Sequence, residues 1–130
     1  MDVDRQWLCR RIVEDAGEAV MFADLEGTIR LWNDAAERIF GFSREEAVGS
    51  SLDIIVPEEF RDPHWDGYFD AIEAGETRAP DDRLTTAPAL HADGGRITIE
   101  TSGAVVITDD DGDPVGVANM IRDVSNRSTD

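Results

Sequence analysis

Trp32-Asn33-Asp34-Ala35-Ala36-Glu37-Arg38-Ile39-Phe40-Gly41-Phe42-Ser43-Arg44-Glu45-Glu46-Ala47-Val48-Gly49 is the stretch on which the fold turns. A strand ends at Trp32-Asn33. Asp34 is placed to cap a short helix by accepting from its first free N–H groups. Ala35, Ala36, Ile39 and Phe40 recur at helical spacing and give that helix an apolar face. Gly41 stops it. Ser43 then caps a second helix, with Glu46 three residues on, the pattern of a capping box, and Gly49 closes it.

Upstream, Val3 to Ala16 reads as a helix whose Val3, Trp7, Leu8, Ile12 and Ala16 fall on or near one stripe. Ala19 to Ala23 is a short apolar strand. Asp24-Leu25-Glu26-Gly27 is a turn, and Thr28 to Trp32 pairs back as a hairpin. Downstream, Leu52 to Val56 is a brief apolar piece stopped by Pro57. Arg61 to Ala74 reads as a longer helix, with Pro63 tolerated in its first turn. Trp65, Phe69 and Ile72 give that helix an apolar face, with Tyr68 beside it, and serve as core or as the wall of a pocket. Three strands follow: Arg83 to His91, interrupted near Pro88 by a bulge or an edge position, then Arg96 to Thr108, and Val115 to Val124. In the second of these, Ile97, Ile99, Thr101, Val105 and Ile107 share one parity. His91 reads as a surface residue beside the Ala92-Asp93-Gly94-Gly95 turn. Two strands, a helical segment and a three-stranded meander predict an α+β fold, a five-stranded antiparallel sheet with helices packed on one face, plus an N-terminal helix. The boundaries this implies are an N-terminal helix over 1–17, one domain over 18–125 and a polar tail over 126–130.

The bulk numbers narrow the function. The 130 residues carry 29 Asp and Glu against 12 basic residues, for a net charge of −17. Every basic residue is Arg, and the acids spread from Asp2 to Asp130. A diffuse acidic coat without lysine is the composition expected of a protein from a salt-accumulating halophilic archaeon, because molar salt shortens the Debye length to ~3 Å and screens the self-repulsion. It argues against a nucleic-acid partner and against an anionic membrane surface. No apolar run approaches the ~20 residues of a membrane span, no signal peptide is evident, and the single Cys9 fits a reducing cytoplasm. These point to a cytoplasmic location.

The pattern N.AAE.IFG.S..E..G over Asn33 to Gly49 resembles the start of a PAS domain. Ala92-Asp93-Gly94 resembles the family's turn between two late strands. Gly116 to Ser125 resembles its final strand and its D-[IV]-[TS] exit, with Asp123 and Ser125 at the motif positions. The likeness covers about residues 19–127. It implies a sensory and dimerisation module that binds a small ligand in a pocket between sheet and long helix. The signal then leaves through the Asp123–Ser125 exit toward an effector domain or kinase, either within a larger signalling protein of the two-component kind or from a free-standing one. The resemblance also makes the N-terminal helix, through Trp7, Leu8 and Ile12, the candidate homodimer contact; packing back on its own sheet is the alternative.

Within that resemblance the pocket candidates are His64, Tyr68, Phe69, Ile72, Arg83, Thr86 and Asn119, with a mostly apolar ligand fixed by groups such as Tyr68, Thr86 or Asn119. Phe60 to Tyr68 is similar to the helix that supplies the haem histidine in rhizobial oxygen-sensor kinases. This implies haem as an alternative ligand, with His64 on the iron and Arg83 on the strand that carries the oxygen-facing arginine. One extra residue separates His64 from Tyr68 relative to those sensors. Cysteine-linked flavin and chromophore chemistry finds no cysteine in the helical region after the second strand. A third reading is a ligand-free interaction module. Asp109-Asp110-Asp111-Gly112-Asp113 lacks the terminal glutamate of a calcium loop and reads as a solvated turn. No nucleophile elbow, phosphate loop or dinucleotide fingerprint is present, so an enzyme is not expected.

Overall fold

The computed structural model describes residues 3–75 and 85–125, and at 102 and 103 the backbone only. Helix α1 (Arg5–Asp15) leads into β1 (Ala19–Asp24) and β2 (Ile29–Trp32). Helices α2 (Asp34–Phe40) and α3 (Arg44–Ala47) follow, then two 3-10 turns (Leu52–Ile54 and Glu58–Phe60) and α4 (Arg61–Ala74). Strands β3 (Thr85–Leu90), β4 (Arg96–Thr108) and β5 (Pro114–Asp123) complete the order. The strands form one antiparallel sheet, β2-β1-β5-β4-β3. The first and last strands therefore lie side by side at its centre. Met21, Ala23, Val117, Ile121, Ile99 and Ala89 face a core closed by Trp32, Phe40, Ala47, Leu52, Ile55 and Tyr68. This is the α+β arrangement that the sequence predicts.

Local signals account for most element ends. Gly41 takes φ 80° at the end of α2 and its N–H reaches Glu37 O. A Cβ there would also sit 2.6 Å from the His91 ring, so glycine is required twice over. Ser43 and Glu46 form the expected reciprocal capping box.

Four expectations need correction. The cap of α2 is Asn33, not Asp34: Asn33 Oδ1 accepts from Ala36 N at 3.0 Å. Both types can cap, and what decides is that Asn33 has two more donors to place. Its Nδ2 donates to Val13 O (2.7 Å) and Glu18 O (3.0 Å), while Oδ1 also accepts from Val20 N (2.9 Å). Second, β4 does not keep one parity. Its pairing with β5 shifts between Thr101 and Ala104, so Ala104 and Val106 turn inward while Val105 and Ile107 are exposed. One extra residue exchanges the faces of everything beyond it. Third, β3 pairs with β4 without a shift through Pro88. Of the two alternatives, the edge position is the one observed and the bulge is not: as the edge strand, β3 accommodates the missing N–H without a shift. Fourth, His91 is 26 % exposed rather than a free surface residue, its ring lying against Gly41.

Asn33 is 1 % exposed and its four bonds join α1, β1 and α2. Asn33→Ala leaves buried donors and acceptors unpaired and should lower the unfolding free energy by roughly 2–4 kcal/mol. Urea denaturation measures that loss, and hydrogen exchange should show protection in α1 collapsing before protection in β1.

Candidate functional site

Helix α4 is entered through Pro63 in its first turn and ended by Gly75 at φ 77°. Its inward face is His64, Tyr68 and Ala71, at i, i+4 and i+7. This is one position away from the stripe expected at Trp65, Phe69 and Ile72. Trp65 donates from Nε1 to Asp53 Oδ1 at 2.7 Å and covers Gly27, where a Cβ would collide with the indole at 2.1 Å. Phe69 stacks on Trp65 with ring centroids 5.6 Å apart and is 48 % exposed. Tyr68 is the buried one. Its hydroxyl lies 2.5 Å from Asp24 O and 3.1 Å from Ala23 O, fastening α4 to the end of β1. Ile72 packs against the core without reaching the cleft described next.

Between the 52–60 segment, the start of α4 and the inner faces of β1, β3, β4 and β5 lies a cleft of about 530 Å³. Its walls are apolar, with Met21, Leu52, Ile55, Phe60, Ile99 and Ile121 prominent. Its polar groups are His64, Thr86, Thr101 and Asn119, and none of the described lining residues is Asp, Glu, Lys or Arg. His64 Nδ1 is buried and makes no hydrogen bond. Burial pushes the imidazole below its ordinary 6.5, against a smaller upward pull from the Asp53 carboxylate. His64 is thus neutral at neutral pH, able to offer one donor and one acceptor nitrogen.

Of the pocket candidates, His64, Thr86 and Asn119 come together at the cleft, whereas Tyr68, Phe69 and Ile72 do not line it. Arg83 lies outside the described residues. Thr101, Met21, Ile55 and Phe60 were missed. Thr101 shares the inward parity of Ile97 and Ile99, a signal the alternation already carried. Phe60 and Ile55 arrive through turns that have no periodicity to read.

The remaining candidates are placed as follows. Asp123 Oδ1 accepts from Ser125 N (2.8 Å), and Ser125 Oγ accepts from Thr98 N (2.8 Å). The pair thereby fastens the end of β5 to β4. Arg122 beside them pairs with Glu18 at the start of β1. In α1 no residue is buried; Trp7 is 48 %, Leu8 40 % and Ile12 60 % exposed. The opposite side of the helix stands beside the sheet edge, where Cys9, Arg10, Val13 and Glu14 line a groove with Arg30, Leu31 and Trp32 of β2. Asp109 accepts from Asp111 N and Asp113 N, so that acid caps its own turn. Among the described residues no group of three or more His, Cys, Asp or Glu is placed to hold a metal ion, and no helix is long and apolar enough to cross a membrane.

The sequence model of the PAS fold matches residues 8–124. The chain belongs to the PAS-fold family. Its structure superposes on the PAS domain of a Colwellia psychrerythraea protein with a TM-score of 0.81 and 24 % identity, covering 95 % of this chain and 100 % of that one. The PAS domain of an HTR-like protein from Haloarcula marismortui gives 0.62 and 16 %, over 91 % and 90 %. At these identities the likeness is one of fold. The sensor protein FixL of Bradyrhizobium diazoefficiens is 39 % identical over 65 residues, half of this chain and 13 % of that protein. The oxygen sensor protein DosP of Escherichia coli is 32 % identical over 50 residues, 38 % of this chain and 6 % of that protein. The chain thus spans a small part of the curated relatives it matches. As a PAS domain it is a sensory module, and both named relatives are sensors.

Tyr68 gives this PAS domain a clean titration. Burial, and then the nearby Asp24 carboxylate, push the phenol from 10.0 up to about 12. The neutral form is the one favoured in the fold, so its contribution to stability is full below pH 10 and is lost as pH rises through 12. Tyr68 is the chain's one tyrosine. Ultraviolet titration of phenolate should therefore show a single midpoint near 12 in the folded protein and near 10 in denaturant.

Proposed function

We propose that this chain is a sensory PAS module that takes a small, uncharged, mostly apolar molecule into the cleft beside α4 and relays its presence through the Asp123–Ser125 exit. The cleft's composition carries the reading. In a chain of net charge −17, its described walls hold no charged side chain, and its few polar groups converge from α4, β3, β4 and β5. A buried carboxylate or ammonium on the ligand would find no counter-ion there and would lose its hydration. A neutral ligand with one hydrogen-bonding end loses little and gains from the apolar walls.

The relay follows from strand geometry. Asn119 and Ile121 face the cleft from β5, four and two residues before the exit pair's Asp123. A ligand that binds two arrangements of β5 unequally shifts their populations, and Ser125, bonded to Thr98, reports the shift to whatever follows. The receiver is an effector domain or kinase of a larger signalling protein, as suits relatives of which this chain spans a small part. The N-terminal helix is the homodimer contact. A direct nucleic-acid contact is no part of this reading, since the acidic surface opposes phosphate.

The uncharged dye Nile red is a suitable probe. It should bind one to one with a rise in fluorescence, and Ala87→Trp, which fills the cleft from the edge strand, should weaken it at least tenfold. No saturable binding, or binding indifferent to Ala87→Trp, sinks the cleft as a ligand site.

A second reading has one observation of its own: His64 lines the cleft with a neutral imidazole whose buried Nδ1 makes no hydrogen bond. A ligated histidine ordinarily donates its other ring N–H to a fixed partner, and Nδ1 has none, so the residues fit haem in ligand type but not in support. Bound there, haem would supply gas or redox sensing, with His64 holding the iron. Haem titration should give a sharpened Soret band that His64→Ala abolishes; a spectrum that His64→Ala leaves unchanged removes this reading and leaves the first intact.

A further inference from the structure

The groove between α1 and the edge strand β2 has a volume of about 440 Å³ and is separate from the cleft. Cys9, Arg10, Val13 and Glu14 form its helix side, sharing one face at helical spacing. The far wall is Leu31 and Trp32 of β2, with Val48 at the end of α3. Its shape is fixed by the buried Asn33, whose Nδ2 donates to Val13 O. Charge sets the groove apart. Arg10, Arg30 and Arg44 line it against the one acid Glu14. These are three of the 12 basic residues in a chain of net charge −17. Two of them are held from outside: Arg30 Nε donates to Asp24 Oδ2 (2.9 Å), and Arg44 donates to Trp32 O (3.0 Å) and Asp34 Oδ1 (3.3 Å). Neither Asp24 nor Asp34 lines the groove, and a guanidinium with five donor hydrogens keeps several to spare. Among the described residues Arg10 makes no ion pair. Between these cations the wall is mostly apolar, and Leu31 and Val48 are each left 37 % exposed.

We propose that this groove is a second ligand site, one that takes a small molecule with an apolar body and a single carboxylate. The body covers Val13, Leu31 and Val48, removing their surface from water. The carboxylate lies at the wet rim and accepts charge-assisted hydrogen bonds from the guanidinium groups, so it is never stranded without partners. Size agrees, since small-molecule sites run from ~300 to ~1,000 Å³. A peptide strand is a poorer occupant, because the edge of β2 is already engaged. Ile29 exchanges backbone bonds with Ser50 and Gly49, and Trp32 O accepts from Arg44, which leaves no open ladder for strand addition. The two sites sort ligands by charge: the cleft offers no counter-ion among its described lining residues, and the groove offers three. Occupied, the groove ties α1 to β2 and α3, adding to the link that Asn33 makes alone. The Trp7, Leu8 and Ile12 side of the helix points the other way and stays open.

The proposal is independent of what fills the cleft, and failure of the Nile red test leaves it standing. Decanoate below its micelle concentration is the probe, and decanol is its uncharged counterpart. The whole chain carrying Ala87→Trp, with the cleft filled, is titrated by calorimetry. It should bind one decanoate, about tenfold or more tighter than decanol. Arg10→Glu should weaken decanoate about tenfold or more. Arg38→Glu makes the same change of net charge at an exposed site outside the groove, and should move the affinity by less than about twofold. Val48→Glu repeats the charge test from the other wall should Arg10→Glu disturb folding by circular dichroism. Cys9 reports the place of binding. It is the chain's one cysteine, exposed and on the groove, and saturating decanoate should slow its alkylation by iodoacetamide about threefold or more. Absence of saturable decanoate binding overturns the proposal. So does binding that Arg10→Glu and Val48→Glu leave unchanged, decanol that binds as tightly as decanoate, or a Cys9 alkylation rate that decanoate does not alter.

Discussion

One side chain, Asn33, holds the three parts of this domain in register. A carboxamide is the only side-chain type that combines two donors with an acceptor oxygen able to take two bonds, and here all four are used. The oxygen starts α2 and aligns β1; the nitrogen collects two carbonyls from the end of α1 and its connection to the sheet. Because the group is buried, each bond replaces one that water cannot supply. Trp32 beside it is fixed in the same way, its Nε1 donating to Phe42 O at 3.0 Å while its ring packs on Phe40. The placement of α2 and α3, and through them the roof of the core, follows from this corner.

The cleft is the complement of that arrangement. α4 is pinned at one side by the Tyr68 hydroxyl on β1 and by Trp65 on Asp53. Its first turn therefore stands away from β3 and β4. The space left over is lined by whatever the inner faces of the strands present, and these are small or aliphatic at Ala87, Ala89, Ile99 and Ile121. Anchoring by aromatic hydrogen bonds, with small residues opposite, produces a cavity without loosening the core.

Much of this was legible in the chain because it is written locally. Gly41, Gly75 and the Ser43–Glu46 box mark helix ends by their own chemistry, and α4 and β4 have the bounds that their flanking signals predict. What was not legible depends on partners remote in sequence. Asn33 and Asp34 are equally good caps until the carbonyls of Val13 and Glu18 are known. The face of α4 was misplaced by one position because apolarity favours Phe69 over Tyr68, whereas a strand-end carbonyl pair favours the hydroxyl. The extra residue in β4 is marked in the sequence only by the glycine at Gly103, between Thr101 and Ala104 where the pairing shifts, and it decides that Val105 and Ile107 look outward. Of the four polar residues lining the cleft, His64, Thr86 and Asn119 lie on elements with readable periods and were among the candidates while Thr101 was not, and the apolar Phe60 and Ile55 sit on turns that have no period.

The central pairing of β1 with β5 has a mechanical consequence. Ala19 lies opposite Ile121, so the path into the sheet and the path out of it leave at the same edge of the same ladder. Tension applied between those two ends would load the ladder one hydrogen bond at a time, peeling it from that edge, rather than shearing all its rungs together. The Arg122–Glu18 pair sits at the point where such a tear would begin. A domain threaded this way yields readily to a pull along its chain, and the same weakness lets a small rearrangement at either end travel inward along the strands that line the cleft.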